Sequence, residues 1–350
     1  MKVRESLVQV TADGLFCPLG DFFIDPWRPV AAAVVTHAHA DHATRGCGGY
    51  LTSEDGQHVL RARMDIAAKI DTLAYGRKIR HRNVVVSLHP AGHILGSAQV
   101  RLEHDGYVCV ISGDYKTEPD ATCKPFEPVR CDEFITESTF GLPIYRWPSQ
   151  REVFDEINQW WAANSAQGRA SVILAYSLGK AQRVIGGVDP SIGPIYCHGA
   201  VERMNRAYRE SHIALPDTRY AGQAGTQHDW RGALIVAPPS ALGSPWIRRF
   251  AKASTAFASG WMRVRGARRR RSVDRGFVLS DHADWPGLQH AIHATGAQRV
   301  LVTHGSTLVM SRWLNEQGWE SAPLETNYIG ERDDADVDAA ELTDASGDES

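Results

Sequence analysis

Three histidines and an aspartate crowd one short stretch, Thr36-His37-Ala38-His39-Ala40-Asp41-His42, directly after the apolar run Ala31-Ala32-Ala33-Val34-Val35. In an extended segment residues two apart point the same way, so His37 and His39 can converge on one cation. Asp41 and His42 fall where the chain would turn and can address a second position about one side chain away. Imidazole with carboxylate is a borderline-hard donor set suited to zinc, with manganese or iron as alternatives. The bland alternative is a histidine-rich surface loop. Small alanine spacers between the ligand types argue against it.

Further candidates sit where apolar runs end: His93 in Pro90-Ala91-Gly92-His93-Ile94-Leu95-Gly96-Ser97, Asp114 in Ser112-Gly113-Asp114-Tyr115, and His304 in Val302-Thr303-His304-Gly305. Adjacent glycines let the backbone turn sharply or approach a site closely. Each taken alone reads as a core or loop residue. As a set they complete a site for two metal ions.

The elements that must position these groups are short strands. Residues 21–25, 31–35, 84–86, 98–102, 107–111 and 133–136 read as strands, each ending close to a His or Asp, and residues 58–71 read as a helix. From about Gly141 the texture changes to alternating helix and strand. Residues 152–161 read as helix and 171–176 as strand, with a helix from Lys180 and strands over 234–237 and 255–258. That alternation argues for a parallel α/β layer. After residues 277–279 the first texture resumes, with a helix over 287–293 and a strand over 300–302. No internal repeat is present.

At 350 residues the chain is long enough for about two domains. Its 43% hydrophobic and 23% charged composition is that of an ordinary globular protein. No apolar run approaches the ~18 residues of a membrane span, and the start lacks the apolar core of a secretory signal. Six cysteines without a Cys-x-x-Cys pair suit neither a disulfide framework nor a zinc ribbon, and point to a reduced cytoplasm. The net charge of −3 conceals an asymmetry: residues 331–350 hold nine acids and one Arg, so the other 330 residues carry +5. A basic body suits a polyanionic partner, and the acidic tail has the composition of a disordered segment.

The order His-x-His-x-Asp-His, then a lone His, then a lone Asp, resembles the signature of the metallo-β-lactamase fold. That resemblance implies an αββα sandwich with a dinuclear site at one edge of the sheets. It would place His37, His39 and His93 on one metal and Asp41, His42 and His304 on the other, with Asp114 bridging and Asp25 supporting the site from behind the ligands. Glu137-Ser138-Thr139-Phe140-Gly141, Ser280-Asp281-His282-Ala283-Asp284 and Val302-Thr303-His304-Gly305 resemble the first three motifs of the β-CASP nucleases. The resemblance covers residues from about 10 to 330. It implies an α/β class chain with a discontinuous metallo-β-lactamase domain (1–140 and 278–330), an inserted β-CASP domain (141–277) and a tail (331–350). Residues 257–277 further resemble the bacterial ligase-associated DNA exonucleases, some named as mRNA 3′-end processing-like factors. This implies DNA repair beside an ATP-dependent DNA ligase and a helicase. His at the third motif is typical of RNA-cleaving members, which keeps RNA open as the substrate.

What the resemblance implies chemically is hydrolysis of a phosphodiester by water activated between two divalent ions, zinc or alternatively manganese. His282, Glu137 and Asp41 are the expected catalytic residues. His282 would protonate the leaving oxygen or bind the phosphate as imidazolium, and Glu137 would orient it. Six arginines precede the second motif: Arg263, Arg265, Arg268, Arg269, Arg270 and Arg271. They are expected to grip the strand's phosphates by two-point hydrogen bonding, a solvated loop being the alternative. Lys180, after Gly179 at a helix start, is a further expected phosphate contact. The run lacks the glycine spacing and the Ser/Thr of a P-loop. Other readings are an RNA nuclease of the same fold, a thioesterase or lactonase, and an inactive scaffold.

Overall fold

The computed structural model describes residues 6–225, 227–250, 252–264 and 273–326. Arg265, Arg268, Arg269, Arg270, Arg271 and the acidic tail lie outside the described residues. The chain packs as two units: one from the N-terminal part up to Arg146 together with the chain from His282, the other Trp147–Asp281.

The first unit holds two sheets, one of six strands and one of seven. In the first sheet the strands Gln9–Val10, Leu15–Cys17, Phe22–Ile24, Ala33–Val34, Tyr50–Ser53 and Ile70–Leu73 lie side by side in chain order. The second sheet runs Glu320–Pro323, Arg299–Thr303, Glu133–Glu137, Tyr107–Ile111, Ala98–His104, Val84–Pro90, Ile79–His81. The pleat explains its sequence: Val84, Val86 and Leu88 alternate into one buried cluster with Leu15, Phe22, Ile24 and Val34 of the first sheet. That cluster is the core between the sheets. Neighbouring positions on the other face, Val110, Phe134, Val300 and Val302, pack against the helices Trp285–Thr295 and Thr307–Glu316. The helix Trp285–Thr295 starts where Asp284 accepts the Gly287 N–H at 2.9 Å and stops at left-handed Gly296.

The expected helix over 58–71 is shorter. It spans Gln57–Arg63 and ends at extended Met64, and Ile70–Leu73 instead joins the first sheet beside Tyr50–Ser53. Ile66, which lies inside that expected helix, is 96% exposed. The helical spacing over Ile66, Ala67 and Ile70 was real but lost to backbone pairing with a neighbouring strand, a tertiary effect that overrides periodicity.

The second unit is a six-stranded, wholly parallel sheet in the order Thr218–Tyr220, Ile195–Cys197, Leu234–Ala237, Ser171–Leu174, Ser254–Ala258, Arg275–Phe277. Buried clusters cover both of its faces, as a parallel sheet requires. Its helices are Gln150–Ala166, Lys180–Gly187 and Gly199–Glu210. The first is opened by a capping box in which Ser149 and Glu152 satisfy each other's backbone N–H. Trp160 and Trp161 are core: their indole N–H groups donate to Ser254 Oγ (3.1 Å) and Gly232 O (3.0 Å). Among the described residues no helix is long and apolar enough to cross a membrane.

Candidate metal centre

The site is assembled from loops that leave the ends of these strands. Asp25 follows the strand Phe22–Ile24 in a left-handed conformation (φ 44°) and is buried. Its carboxylate accepts the Thr36 N–H at 2.7 Å and the Thr36 hydroxyl at 2.5 Å, and stands 2.7 Å from His42 Nδ1. One buried acid thus fastens both ends of the His37–His42 loop.

These bonds also fix protons. The Thr36 hydroxyl has one hydrogen and gives it to Asp25, so its oxygen accepts from His37 Nδ1, 3.0 Å away. His42 Nδ1 faces a carboxylate and must be its donor. Thr303 repeats the device: its hydroxyl donates to Thr136 O (3.3 Å) and accepts from His304 Nδ1 (2.9 Å). In each ring a proton sits on Nδ1, and Nε2 is the nitrogen turned toward the site.

The structure brings the sequence-selected side chains into two groups. Ligand atoms of His37, His39, His93 and Asp114 all lie within 4.8 Å of one another, and so do those of Asp41, His42 and His304. Asp114 stands between them, with Oδ2 3.5 Å from both His37 Nε2 and His42 Nε2 and 3.9 Å from His93 Nε2. His93 is held by Ser97, whose hydroxyl accepts the His93 N–H at 3.0 Å. Close approach is required at Gly113 (φ 56°), where a Cβ would stand 2.6 Å from Thr36 Oγ1.

The donor set fits a divalent cation. His37 Nε2 and Asp114 Oδ1 are buried polar atoms without a hydrogen-bond partner among the described residues, a costly arrangement that a cation would relieve. Burial, aided by the neighbouring imidazoles, drives the His37 pKa well down, and burial drives that of His304 down to about 3, so both rings are neutral. Burial opposes charge on His42 too, but the carboxylates of Asp41, Asp114 and Asp25 outweigh it and hold its pKa up at about 10. Burial pushes the Asp114 carboxyl up to about 7, whereas His42, His39 and His304 overcome burial at Asp41 and hold it below its ordinary value.

Beside this cluster lies a pair from the first two motifs. Glu137, at the end of the buried strand Glu133–Glu137, holds His282 Nδ1 between its oxygens at 3.0 and 2.9 Å. Tyr115 N–H donates to the same carboxylate at 2.7 Å. Burial pushes Glu137 up, but His282 and these hydrogen bonds prevail and keep it ionised, below its ordinary pKa. His282 packs on the His93 ring at 4.7 Å, and the ligand atoms of Asp114, Glu137 and His282 also fall within 4.8 Å. Pairing of Glu133–Glu137 with Arg299–Thr303 sets Glu137 opposite Thr303, and the Ser138 hydroxyl donates to the His304 carbonyl.

Lys180, expected to contact a phosphate, is placed otherwise. It is 1% exposed, its Nζ 3.7 Å from Asp281 Oδ2 and 4.6 Å from the Tyr176 ring centre, and Arg183 Nη1 approaches the same carboxylate at 3.4 Å. The Gly-Lys pair at a helix start reads as an anion site, but here the anion is a carboxylate 101 positions along the chain. Arg263 is exposed at the end of the short turn Gly260–Arg263. Sequence reasoning did not single out Thr36, Thr303, Ser97 and Tyr115. A usable signal existed, since Thr precedes His in both Thr36-His37 and Thr303-His304.

No protein-family model matches the chain. It is 33% identical over 310 residues to a protein of Opitutus terrae named probable DNA ligase, a match that covers 88% of this chain and 30% of that protein. It is 26% identical over 167 residues to cleavage and polyadenylation specificity factor subunit 3 of Dictyostelium discoideum, covering 44% and 21% of the two chains. With an RNase J-like protein of Methanocaldococcus jannaschii it shares 24% identity over 215 residues, 52% and 50% of the two. The chain therefore spans half or less of the length of these relatives. Its fold matches a crystal structure from Enterococcus faecalis, a protein of unknown function, with a TM-score of 0.57 at 11% identity over 85% of this chain and 79% of that one. With its sheets, motif order and these relatives together, the chain belongs to the metallo-β-lactamase-fold β-CASP family.

Proposed function

We propose that this chain is a divalent-metal-dependent nuclease that hydrolyses phosphodiester bonds of DNA, working from an end in ligase-associated repair. The observation that carries the reading is the convergence of seven His and Asp side chains into two adjacent groups, Asp114 belonging to the first and lying 3.5 Å from His42 of the second. His37, His39 and His93 would hold one cation, Asp41, His42 and His304 the other, and Asp114 both. Zinc suits this set best, with manganese as the alternative. Two such cations supply an ionised water at neutral pH and neutralise charge on the phosphate.

The chain's own residues do the rest. Asp25, Thr36 and Thr303 hold imidazole rings with Nε2 directed inward. Glu137 is an ionised acceptor for His282 Nδ1–H and would stabilise the ring as an imidazolium, whose Nε2–H would pass its proton to the leaving oxygen. The products are then a 5′-phosphate and a 3′-hydroxyl. Arg263, with Arg265 and Arg268 to Arg271 in the same run, is assigned to the phosphates of the strand, and residues 141–277 to an inserted cap domain. Phosphate contacts of this kind give salt-sensitive affinity without sequence preference.

The assignment to DNA is supported by the relative named probable DNA ligase, in which the matching region is under a third of the protein. An ATP-dependent ligase and a helicase are the partners this suggests, in a cytoplasmic setting. RNA is the second reading, favoured by His304 at the third motif and by relatives named for RNA processing. An end-labelled time course on matched single-stranded DNA and RNA, in zinc and in manganese, tests both. The proposal expects chelator-sensitive shortening of DNA from one end. Equal or faster RNA cleavage overturns the DNA assignment, and cleavage of neither overturns the nuclease.

A further inference from the structure

Next to His304 the first unit carries a groove of about 630 Å³, within the ~300–1,000 Å³ range of small-ligand sites. Trp27, Val10 and Leu324 line it as apolar wall, Thr11, Thr307 and Thr326 as hydroxyl-bearing wall, and His304 and Gly305 where it adjoins the metal centre. Whatever occupies the groove therefore abuts the group of Asp41, His42 and His304. Among the described residues that line it there is no Lys or Arg, and the one charged acid is Glu325. A phosphate placed there would meet no cationic side chain among the described lining residues. A neutral planar group with polar edges finds a fitting environment, because an indole offers a stacking platform and hydroxyls can both donate and accept.

The walls are fixed before any ligand arrives. The Trp27 backbone N–H donates to Asp13 O at 2.8 Å, and the turn that carries Asp13 is closed by Thr11 N–H and Oγ1, both bonded to Gly14 O at 3.0 and 2.9 Å. On the other side Leu324 N–H donates to Val302 O at 2.8 Å. Ser306, which opens the helix Thr307–Glu316, contributes no side-chain cap, so the first-turn amides beside Thr307 are not claimed by it.

We propose that this groove seats the nucleobase adjoining the scissile phosphate, with Trp27 stacked on its face. This inference rests on the nuclease reading above and gives it a specificity: the substrate must carry a base at the nucleotide next to the cut. Hydroxyl contacts and stacking accept every base, so sequence preference is weak while the need for a base is strong.

The test compares a single-stranded DNA oligonucleotide with one in which the nucleotide at the cut carries a tetrahydrofuran in place of the base. In the wild-type protein kcat/KM for the intact substrate exceeds that for the abasic one by ~10-fold or more, the scale of base–aromatic stacking. Trp27→Ala brings this ratio close to one, and Trp27→Phe keeps most of it. Val10→Trp, at an exposed strand end, fills the groove and lowers the ratio without touching the core. Calorimetry on metal-free protein supplies a readout apart from turnover: deoxyadenosine monophosphate binds more tightly than deoxyribose 5-phosphate, and both Trp27→Ala and Val10→Trp remove that margin. Wild-type protein indifferent to the abasic nucleotide, or an unchanged ratio and margin in both variants, overturns the proposal. Failure to cleave any oligonucleotide counts against the nuclease instead, since the calorimetric comparison still reports on the groove.

Discussion

Asp25 and His42 form a buried pair, the carboxylate 2.7 Å from Nδ1, in which the acid lies behind the ring and Nε2 faces the carboxylates of Asp41 and Asp114. The same carboxylate ties down Thr36, and through it the orientation of His37. Asp25→Asn keeps the size but puts an amide where two acceptor bonds are made. We expect metal affinity to fall by ~10–100-fold, the usual cost of losing a ligand's orienting partner, with the fold intact by circular dichroism. Unchanged affinity by competitive chelator titration would remove Asp25 from the site.

Ligands and the proposed proton donor separate by what they lose. His39→Ala removes a donor from the His37–His93–Asp114 group, so metal content and activity should fall together. His282→Ala should retain both cations and lose ~10²–10⁴-fold in kcat, the range of general acid catalysis. Glu137→Gln, which leaves His282 without its anionic partner, should lie between. Elemental analysis giving His282→Ala the same metal deficit as His39→Ala would make His282 a ligand.

Proton release gives a third prediction. In the metal-free protein His42 is held protonated, its pKa up at about 10, by Asp41, Asp114 and Asp25. A cation at Nε2 must displace that proton, so binding at pH 8 releases one, and affinity rises about tenfold per pH unit until the pH reaches that value. Asp114, pushed up by burial to about 7, must yield a second proton below pH 7, so the slope steepens there. Calorimetry in buffers of different ionisation enthalpy counts the protons directly. Binding at pH 8 without proton uptake by the buffer would show that His42 is neutral beforehand.

Lys180 offers a fourth. Removing the ammonium by Lys180→Met withdraws one cation from buried Asp281, an operation that costs ~3–5 kcal/mol when a pair is broken, moderated here by Arg183. The melting temperature should fall, while the salt dependence of DNA binding stays as in the wild type. A shallower salt slope without loss of stability would return Lys180 to the phosphate backbone.

The contrast between Lys180 and the His37–His42 loop shows what a sequence can carry. Four ligand-type residues within six positions need only local geometry to meet, and His93, Asp114 and His304 were marked because each follows an apolar run and has a glycine at its side. The parallel layer was legible for a similar reason, as its strands are short apolar runs between helical segments. The contact of Lys180 with Asp281 was not legible, because Asp281 is remote in sequence and the burial of both is a tertiary fact. The strand Ile70–Leu73 was hidden inside helical spacing, since its neighbour Tyr50–Ser53 decides its state. Thr36 and Thr303 were passed over because a hydroxyl becomes informative only once its single proton is traced to Asp25 or to Thr136.

Central to the account is that Asp114 is shared by two cations. Crystals of metal-loaded protein, with data collected at the absorption edge of zinc, measure this directly. The account predicts two anomalous peaks ~3.5–4 Å apart with Asp114 touching both, the spacing of two-metal hydrolytic sites. A single peak, or a second one that excludes His42 and His304, would contradict it.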